Sequence, residues 1–214
     1  MQLEVQKKII EQREKEKEVL VREMHHRVKN NLQLTSSLLN LQARKMSDSE
    51  AAQSLKQARD RIHAISLIHQ KLYSKDDISQ INLLEYIPDL CNAVVLSNSQ
   101  QGTKILLEFK IEPIFISVDM AISVGLIINE AVINSLKHAF GAVSEGVIEI
   151  SAHKMGNNIS LSIKDNGSGF SKLDNSENFG GFGFQLLRSF TTKLSGKMTV
   201  ENNHGTIIII QIPL

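Results

Sequence analysis

Residues 125–140 read GLIINEAVINSLKHAF, and the rest of the chain is read outward from them. Ile127, Ala131, Leu136 and Ala139 recur near three- and four-residue spacing, and no Gly or Pro follows Gly125, so the spacing predicts a helix. A buried helix has no need of polar groups on its inner face. Yet Glu130, Asn134, Lys137 and His138 fall at i, i+4, i+7 and i+8, on one side of a regular helix. An acid, an amide, an amine and an imidazole in one row suit a metal-bound phosphate group. Taken alone, the row is equally a solvated face.

Two motifs downstream favour the first reading. At the end of the alternating run Ile159–Ile163 stands Asp165-Asn166-Gly167-Ser168-Gly169. A carboxylate at a strand end can accept a hydrogen bond from a base amine, while glycines let the backbone pass close to a ligand. Phe179-Gly180-Gly181-Phe182-Gly183-Phe184 follows, ahead of a helical run, Gln185–Leu194. Glycines before a helix leave N–H groups free to cradle phosphate, and the helix dipole favours the anion. Each motif alone is common in turns; the three in this order are not.

On these residues the chain from about 80 to 214 resembles the Bergerat-type ATPase domain shared by histidine kinases, gyrase-like ATPases and anti-sigma kinases. Asn134 with Lys137 matches its N box, Asp165, Gly167 and Gly169 its first glycine box, and Gly181 and Gly183 its second. Gly205-Thr206 resembles the last and weakest box. The resemblance implies Mg-ATP as the ligand. Asp165 is then expected to receive the adenine amine and Asn134 to coordinate Mg²⁺. Lys137 and the backbone around Gly181 and Gly183 are expected to hold phosphates, with His138 beside them. Glu130 is expected to bias a proton or hold a water on the ion.

Composition narrows the rest. Over 214 residues the net charge is +1 and Trp is absent, so neither bulk charge nor an aromatic platform suggests nucleic acid. One cysteine, Cys91, excludes an internal disulfide and fits a reducing, cytoplasmic compartment. No apolar run reaches about 18 residues, so no membrane span is expected, and the start lacks a signal-peptide pattern.

Residues 1–20 carry the run Glu11-Gln12-Arg13-Glu14-Lys15-Glu16-Lys17-Glu18, mixed charges that suit a helical linker or short coiled coil. The helix should continue through Leu20–Leu32 to Lys45. Ser47 and Glu50 read as a capping box. A second helix then carries Ala51, Leu55, Ala58, Ile62, Ile65, His69 and Leu72 at spacings of four and three, a coiled-coil seam. This helical hairpin, 21–75, buries one face alone; two copies forming a four-helix bundle would bury both, the alternative being a single hairpin packed on the following domain. At about 100° per residue, Val21, Met24 and Val28 share one side, His25 flanks it, and His26 lies nearly opposite, exposed. His63 has no evident role, and the histidines make no metal pattern.

The segment EMHHRVKNNLQ resembles the phosphoacceptor box of the histidine kinase subfamily carrying His-Arg-x-Lys-Asn, related to the HWE group. The resemblance implies His26 as the nucleophile. Most other histidine kinases place an acid directly after the histidine; here Arg27 stands there, and Glu23 is the candidate base.

Residues 74–82 read as a polar linker. Leu83–Leu96 reads as a helix capped by Asn82 and kinked or interrupted at Pro88. Ile105–Ile111 and Ile114–Ile116 read as strands. Gly146–His153 and Ile159–Lys164 read as a hairpin about Asn157-Asn158, and Lys197–Glu201 with Thr206–Ile212 as a second one. Residues 170–182 read as a mobile lid, and Gly196 as a helix end. The expected class is α+β: a helical dimerisation hairpin, then a largely antiparallel α/β sandwich, 80–214.

The function expected is the core of a sensor histidine kinase. It phosphorylates His26 from Mg-ATP and passes the phosphoryl group to an aspartate of a response-regulator receiver domain. No sensor module fits in the first twenty residues, so the chain is either a fragment or takes its input from an upstream partner. Two other classes stay open: an anti-sigma-type protein serine kinase, against which the His26 hairpin argues, and a non-catalytic nucleotide-binding scaffold, which Asn134 and Asp165 disfavour.

Overall fold

The computed structural model describes residues 2–46, helical positions 51, 52, 54–56, 58, 59, 61, 62, 65 and 66, then 80–98, 104–141, 145–169 and 182–214. It forms two compact units, Met1–Asp77 and Ile78–Leu214.

The first unit is helical. Helix α1, Gln2–Lys45, runs 44 residues without a break and ends on Arg44 and Lys45, whose charges suit the negative end of the helix dipole. The helical positions from 51 to 66 form α2. Arg59 Nη1 donates to Asn40 Oδ1 at 3.1 Å, tying α2 to α1, and Ala43 and Ser66 are buried. The α2 seam, Ala51, Leu55, Ala58, Ile62 and Ile65, is already half-buried within one chain. The exposed apolar side chains of α1 include Met24, Val28, Leu34, Leu38 and Leu41. The Ser47–Glu50 capping box, His63, His69 and Leu72 lie outside the described residues.

The second unit opens with a short strand where a linker was expected. Strand β1, Gln80–Asn82, pairs antiparallel with β3, Phe115–Ser117, and Leu83 N–H donates to Ile114 O. Ile81, opposite Ile116, is buried, and that apolar pairing draws the polar segment into structure. Asn82 Oδ1 accepts from Leu84 N–H and caps α3, Leu83–Asn98. Leu83, Tyr86, Ile87, Leu90, Cys91 and Val94 make its buried stripe. The helix runs through Pro88 instead of breaking, because the carbonyl that a proline leaves unbonded belongs to Leu84, on the exposed side.

The main sheet has the order β2-β4-β5-β7-β6: β2 Lys104–Ile111, β4 Glu145–Met155, β5 Asn158–Asp165, β6 Lys197–Asn202 and β7 Thr206–Pro213. Only β2 and β4 are parallel, joined through β3 and the long helix α4, Val118–Asn134. Helix α5, Phe182–Lys193, precedes β6. Ile148, Ile150, Ile159, Leu161, Ile163, Ile208 and Ile210 alternate inward; with Val124, Ile127, Ile128 and Ala131 of α4 and Leu187 of α5 they make the core. Each large aliphatic so buried is worth about 1.5–3 kcal/mol.

Local punctuation differs slightly from expectation. The β4–β5 turn is Gly156-Asn157, one residue early, since Gly156 adopts φ +61°. At the end of α5 the left-handed residue is Ser195 (φ 52°), while Gly196 is needed because a Cβ there would lie 2.7 Å from Gln211 O. The 22 residues Val118–Ala139 are long and apolar enough by length and composition to cross a membrane, although Asp119, Glu130 and Lys137 interrupt them. Their apolar window is 72% buried within the unit, as the central helix of a sandwich must be.

Candidate active site

The site is built around the end of α4. Ser117 caps the helix, its Oγ accepting from Met120 N–H. Beyond Asn134 the helix widens into a π turn, Ser135–Ala139. The extra residue per turn breaks the row expected of a regular helix. Glu130 is buried, Asn134 is half-buried, and Lys137 and His138 are exposed. Neither Lys137 nor His138 hydrogen-bonds to a described site residue. Ser135, absent from the expected set, turns inward instead.

Asp165 ends β5 and is 3% exposed. Its Oδ1 accepts from Gly167 N–H and Thr206 N–H, each at 3.0 Å, and its Oδ2 accepts the Ser135 hydroxyl at 2.9 Å. The strand end, the glycine loop, the β6–β7 hairpin and the α4 terminus therefore converge on one carboxylate. Asn166 continues the strand edge, donating its N–H to Val147 O and accepting Val147 N–H at its side-chain oxygen.

The glycines are dictated by this convergence. A Cβ on Gly167 would lie 2.3 Å from Ala139 Cβ, where Ser168 N–H also meets Ala139 O. Gly169 has φ +66°, and a Cβ there would meet Asn202 Oδ1 at 2.4 Å. A Cβ on Gly205 would lie 2.0 Å from Asp165 O. The resemblance of Gly205-Thr206 to a weak box thus has a physical content: Gly205 admits the backbone of Asp165, and Thr206 N–H holds its carboxylate.

A second group sits one helical turn back. Gly183 lies inside the first turn of α5, not before the helix as expected. A Cβ on it would be 3.2 and 3.3 Å from the Asn134 amide atoms and 3.3 Å from Glu130 Oε2. The start of α5, Asn134 and Glu130 therefore share one small space. Asn134 Nδ2 is buried there with no hydrogen-bond partner among the described residues. Gly181 and the expected lid, 170–181, lie outside the described residues.

On α1, Glu23 Oε1 accepts from Arg27 Nε at 2.8 Å, an exposed i,i+4 pair worth about 0.3–0.5 kcal/mol. Arg27, which stands where an acid was missing, thus engages the candidate base. The side chains of His25 and His26 lie outside the described residues. Cys91 plays no part: burial pushes its thiol up to about 12, so it stays protonated and inert. Burial, and then the neighbouring Cys91, raises the Tyr86 hydroxyl, which donates to Ala121 O and pins α3 to α4.

Residues 23–98 match the family described as Histidine kinase, and residues 120–214 match the Histidine kinase-, DNA gyrase B-, and HSP90-like ATPase family. The chain therefore carries a histidine kinase domain followed by a histidine kinase-type ATPase domain. It is 30% identical over 202 residues to the sensor histidine kinase PdtaS of Mycolicibacterium smegmatis, covering 92% of this chain and 40% of that protein. The chain thus spans well under half the length of this curated relative. The solved structure of the Erythrobacter litoralis EL346 blue-light activated histidine kinase superposes with a TM-score of 0.69 at 22% identity, over 90% of this chain and 59% of that one. The histidine kinase domain of the same Erythrobacter protein superposes with a TM-score of 0.64 at 20% identity, over 86% and 96% of the two chains. Those two likenesses concern the fold: a helical histidine kinase domain followed by an α/β ATPase domain, as expected.

Within this family the anti-sigma-type serine kinase and the passive scaffold are not favoured, since the hairpin is itself a histidine kinase domain. The residue that sequence reasoning missed is Ser135. Its signal was the single hydroxyl in the strongly apolar stretch 125–140, a position where serine has little helical preference.

Proposed function

We propose that this chain is the catalytic core of a sensor histidine kinase, with 1–20 as helical linker, 21–75 as phosphotransfer hairpin and 80–214 as ATP-binding domain. The observation that carries the reading is the Asp165 carboxylate. It is held by Ser135, Gly167 and Thr206, and it lies in the same unit as the Glu130–Asn134–Gly183 group. Asp165 accepts the adenine amine, the loop glycines Gly167 and Gly169 let the backbone close on the base, and the α5 start with Gly183 faces phosphate, the role the resemblance also implies for Gly181. Lys137 and His138, exposed on the π turn, meet phosphate from the solvent side.

Mg²⁺ fits this donor set. Among the described residues no three His, Cys, Asp or Glu side chains could hold an ion, so a protein-only cage is absent. One amide oxygen and a nearby carboxylate, completed by phosphates and water, is the kind of set Mg²⁺ takes. Asn134 would hold it directly, Glu130 through water, and the ion would neutralise phosphate charge. The orphaned Asn134 Nδ2 is a donor, which suits a phosphate oxygen beside the ion, the amide oxygen being the atom that would face the metal.

His26 attacks the γ-phosphorus with a ring nitrogen; a P–N bond forms, the bond to the bridging oxygen breaks, and ADP leaves. The imidazole proton passes to Glu23 once the carboxylate leaves Arg27. The phosphoryl group then moves to an aspartate on a response-regulator receiver domain. Two copies pair through the exposed α1 stripe, and input comes from an upstream sensor or partner. The lone buried Cys91 suits a reducing compartment such as the cytoplasm.

The test is incubation with Mg²⁺ and terminally labelled ATP. Label lost in acid and kept in base, and absent in His26→Ala but present in His25→Ala, is the expected result. Acid-stable label, or phosphate mapped to His25, would overturn it.

A further inference from the structure

We propose that Ser135 is a positioning residue that sets base selectivity: its hydroxyl restricts Asp165 to a single remaining acceptor site, which an adenine amine fills and guanine does not. This rests on reading Asp165 as the base-binding acid. A carboxylate offers about four acceptor sites. Two on Oδ1 are taken by Gly167 and Thr206 N–H groups, and one on Oδ2 by Ser135. Among the described residues, one is left, on Oδ2.

Adenine presents a single amine to such a site. Guanine presents two donors side by side, N1–H and the 2-amine, and its favourable partner is a carboxylate with two acceptors on offer. Asp165 is 3% and Ser135 7% exposed, so water compensates poorly for a mismatch there.

The Ser135 bond is not the ordinary habit of a helical hydroxyl. Thr35, Ser37, Ser97, Ser123 and Thr191 each bond back to the carbonyl four residues earlier. Ser135 instead reaches across thirty residues of sequence to Asp165. It does so from the first residue of the π turn, with its own N–H donating to Ala131 and Val132 carbonyls. Wide turns of this kind concentrate at functional positions. Asn134, the neighbouring residue, faces Gly183. One local widening therefore aims adjacent residues at the base acid and at the phosphate group.

The experiment measures calorimetric affinities of the full chain for ATP and GTP, with thermal melts alongside. Ser135→Ala should weaken ATP and admit GTP, so that the ATP-to-GTP preference falls about tenfold. Ser135→Thr keeps the hydroxyl and should keep the parent ratio. A Ser135→Ala chain that melts normally with an unchanged ratio, or that weakens both nucleotides equally, overturns the assignment while leaving ATP binding intact. A parent chain that binds neither nucleotide overturns this proposal and the ATP-binding reading together.

Discussion

Replacing Asp165 with Asn exchanges one carboxylate oxygen for an amide NH₂, and the hydrogen bonds decide which one. If the amide group faced Gly167 and Thr206, two part-buried N–H donors, each now 3.0 Å from an acceptor, would meet a third donor. Each orphaned donor would cost about 1–3 kcal/mol, so this orientation is not populated. The amide oxygen therefore takes the Oδ1 place. The NH₂ takes the Oδ2 place, where Ser135 can rotate its hydroxyl and accept instead of donate. The fold should then survive with a loss of about 1 kcal/mol, since only charge-assisted character is removed. The base site does not survive, because an N–H now points where the adenine amine needs an acceptor. One donor–donor mismatch of about 1–3 kcal/mol weakens ATP roughly 5- to 150-fold. Calorimetry with ATP beside a thermal melt separates the two effects. ATP affinity equal to the parent, in a chain that melts normally, would remove Asp165 from the base site.

Gly205→Ala attacks the same carboxylate from behind: its Cβ would stand 2.0 Å from Asp165 O at a φ of +128°, so a loss of about 1–3 kcal/mol or more is expected in chemical denaturation, and wild-type stability would refute the packing argument. Asn134→Ala should abolish Mg²⁺-dependent phosphorylation with an unchanged circular dichroism spectrum; normal phosphorylation would take Asn134 out of the site. Leu38→Glu, at a position 53% exposed in one chain, should yield folded monomers by light scattering, whereas Ile62→Glu should also loosen the hairpin. A dimer that persists in Leu38→Glu would move the pairing face off α1.

Much of this was legible from residue order, and for local reasons. The alternation of Ile159, Leu161 and Ile163 marks a strand because successive side chains of a strand point to opposite faces. Asn82 and Ser117 announce α3 and α4 because a helix start needs an acceptor. The glycine boxes were visible because backbone approaching within van der Waals contact leaves no room for a Cβ, and Gly167 and Gly205 meet that condition. Where expectation slipped, a distant contact outweighed the local preference. Gln80–Asn82 is polar enough for a linker, yet Ile81 finds Ile116 and becomes a strand. Gly183 looked like a loop residue, yet it is helical because Asn134 and Glu130 stand against it.

The sequence by itself determined the order of the boxes, the two-part organisation, the hairpins and the identity of Asp165 as an acid at a strand end. Only the tertiary structure decided what that acid is bonded to. Ser135, Gly167 and Thr206 come from a helix, a loop and a hairpin, and nothing in their spacing tells that their donors meet at one carboxylate. The π turn at Ser135–Ala139 belongs to the same class. A regular helix would have kept Glu130, Asn134, Lys137 and His138 in one row, and the sequence period alone argues for that row. The helix abandons it because Ser135 gains a buried charged acceptor and Ala139 meets Gly167 and Ser168, contacts that exist only once the sheet has brought β5 beside α4.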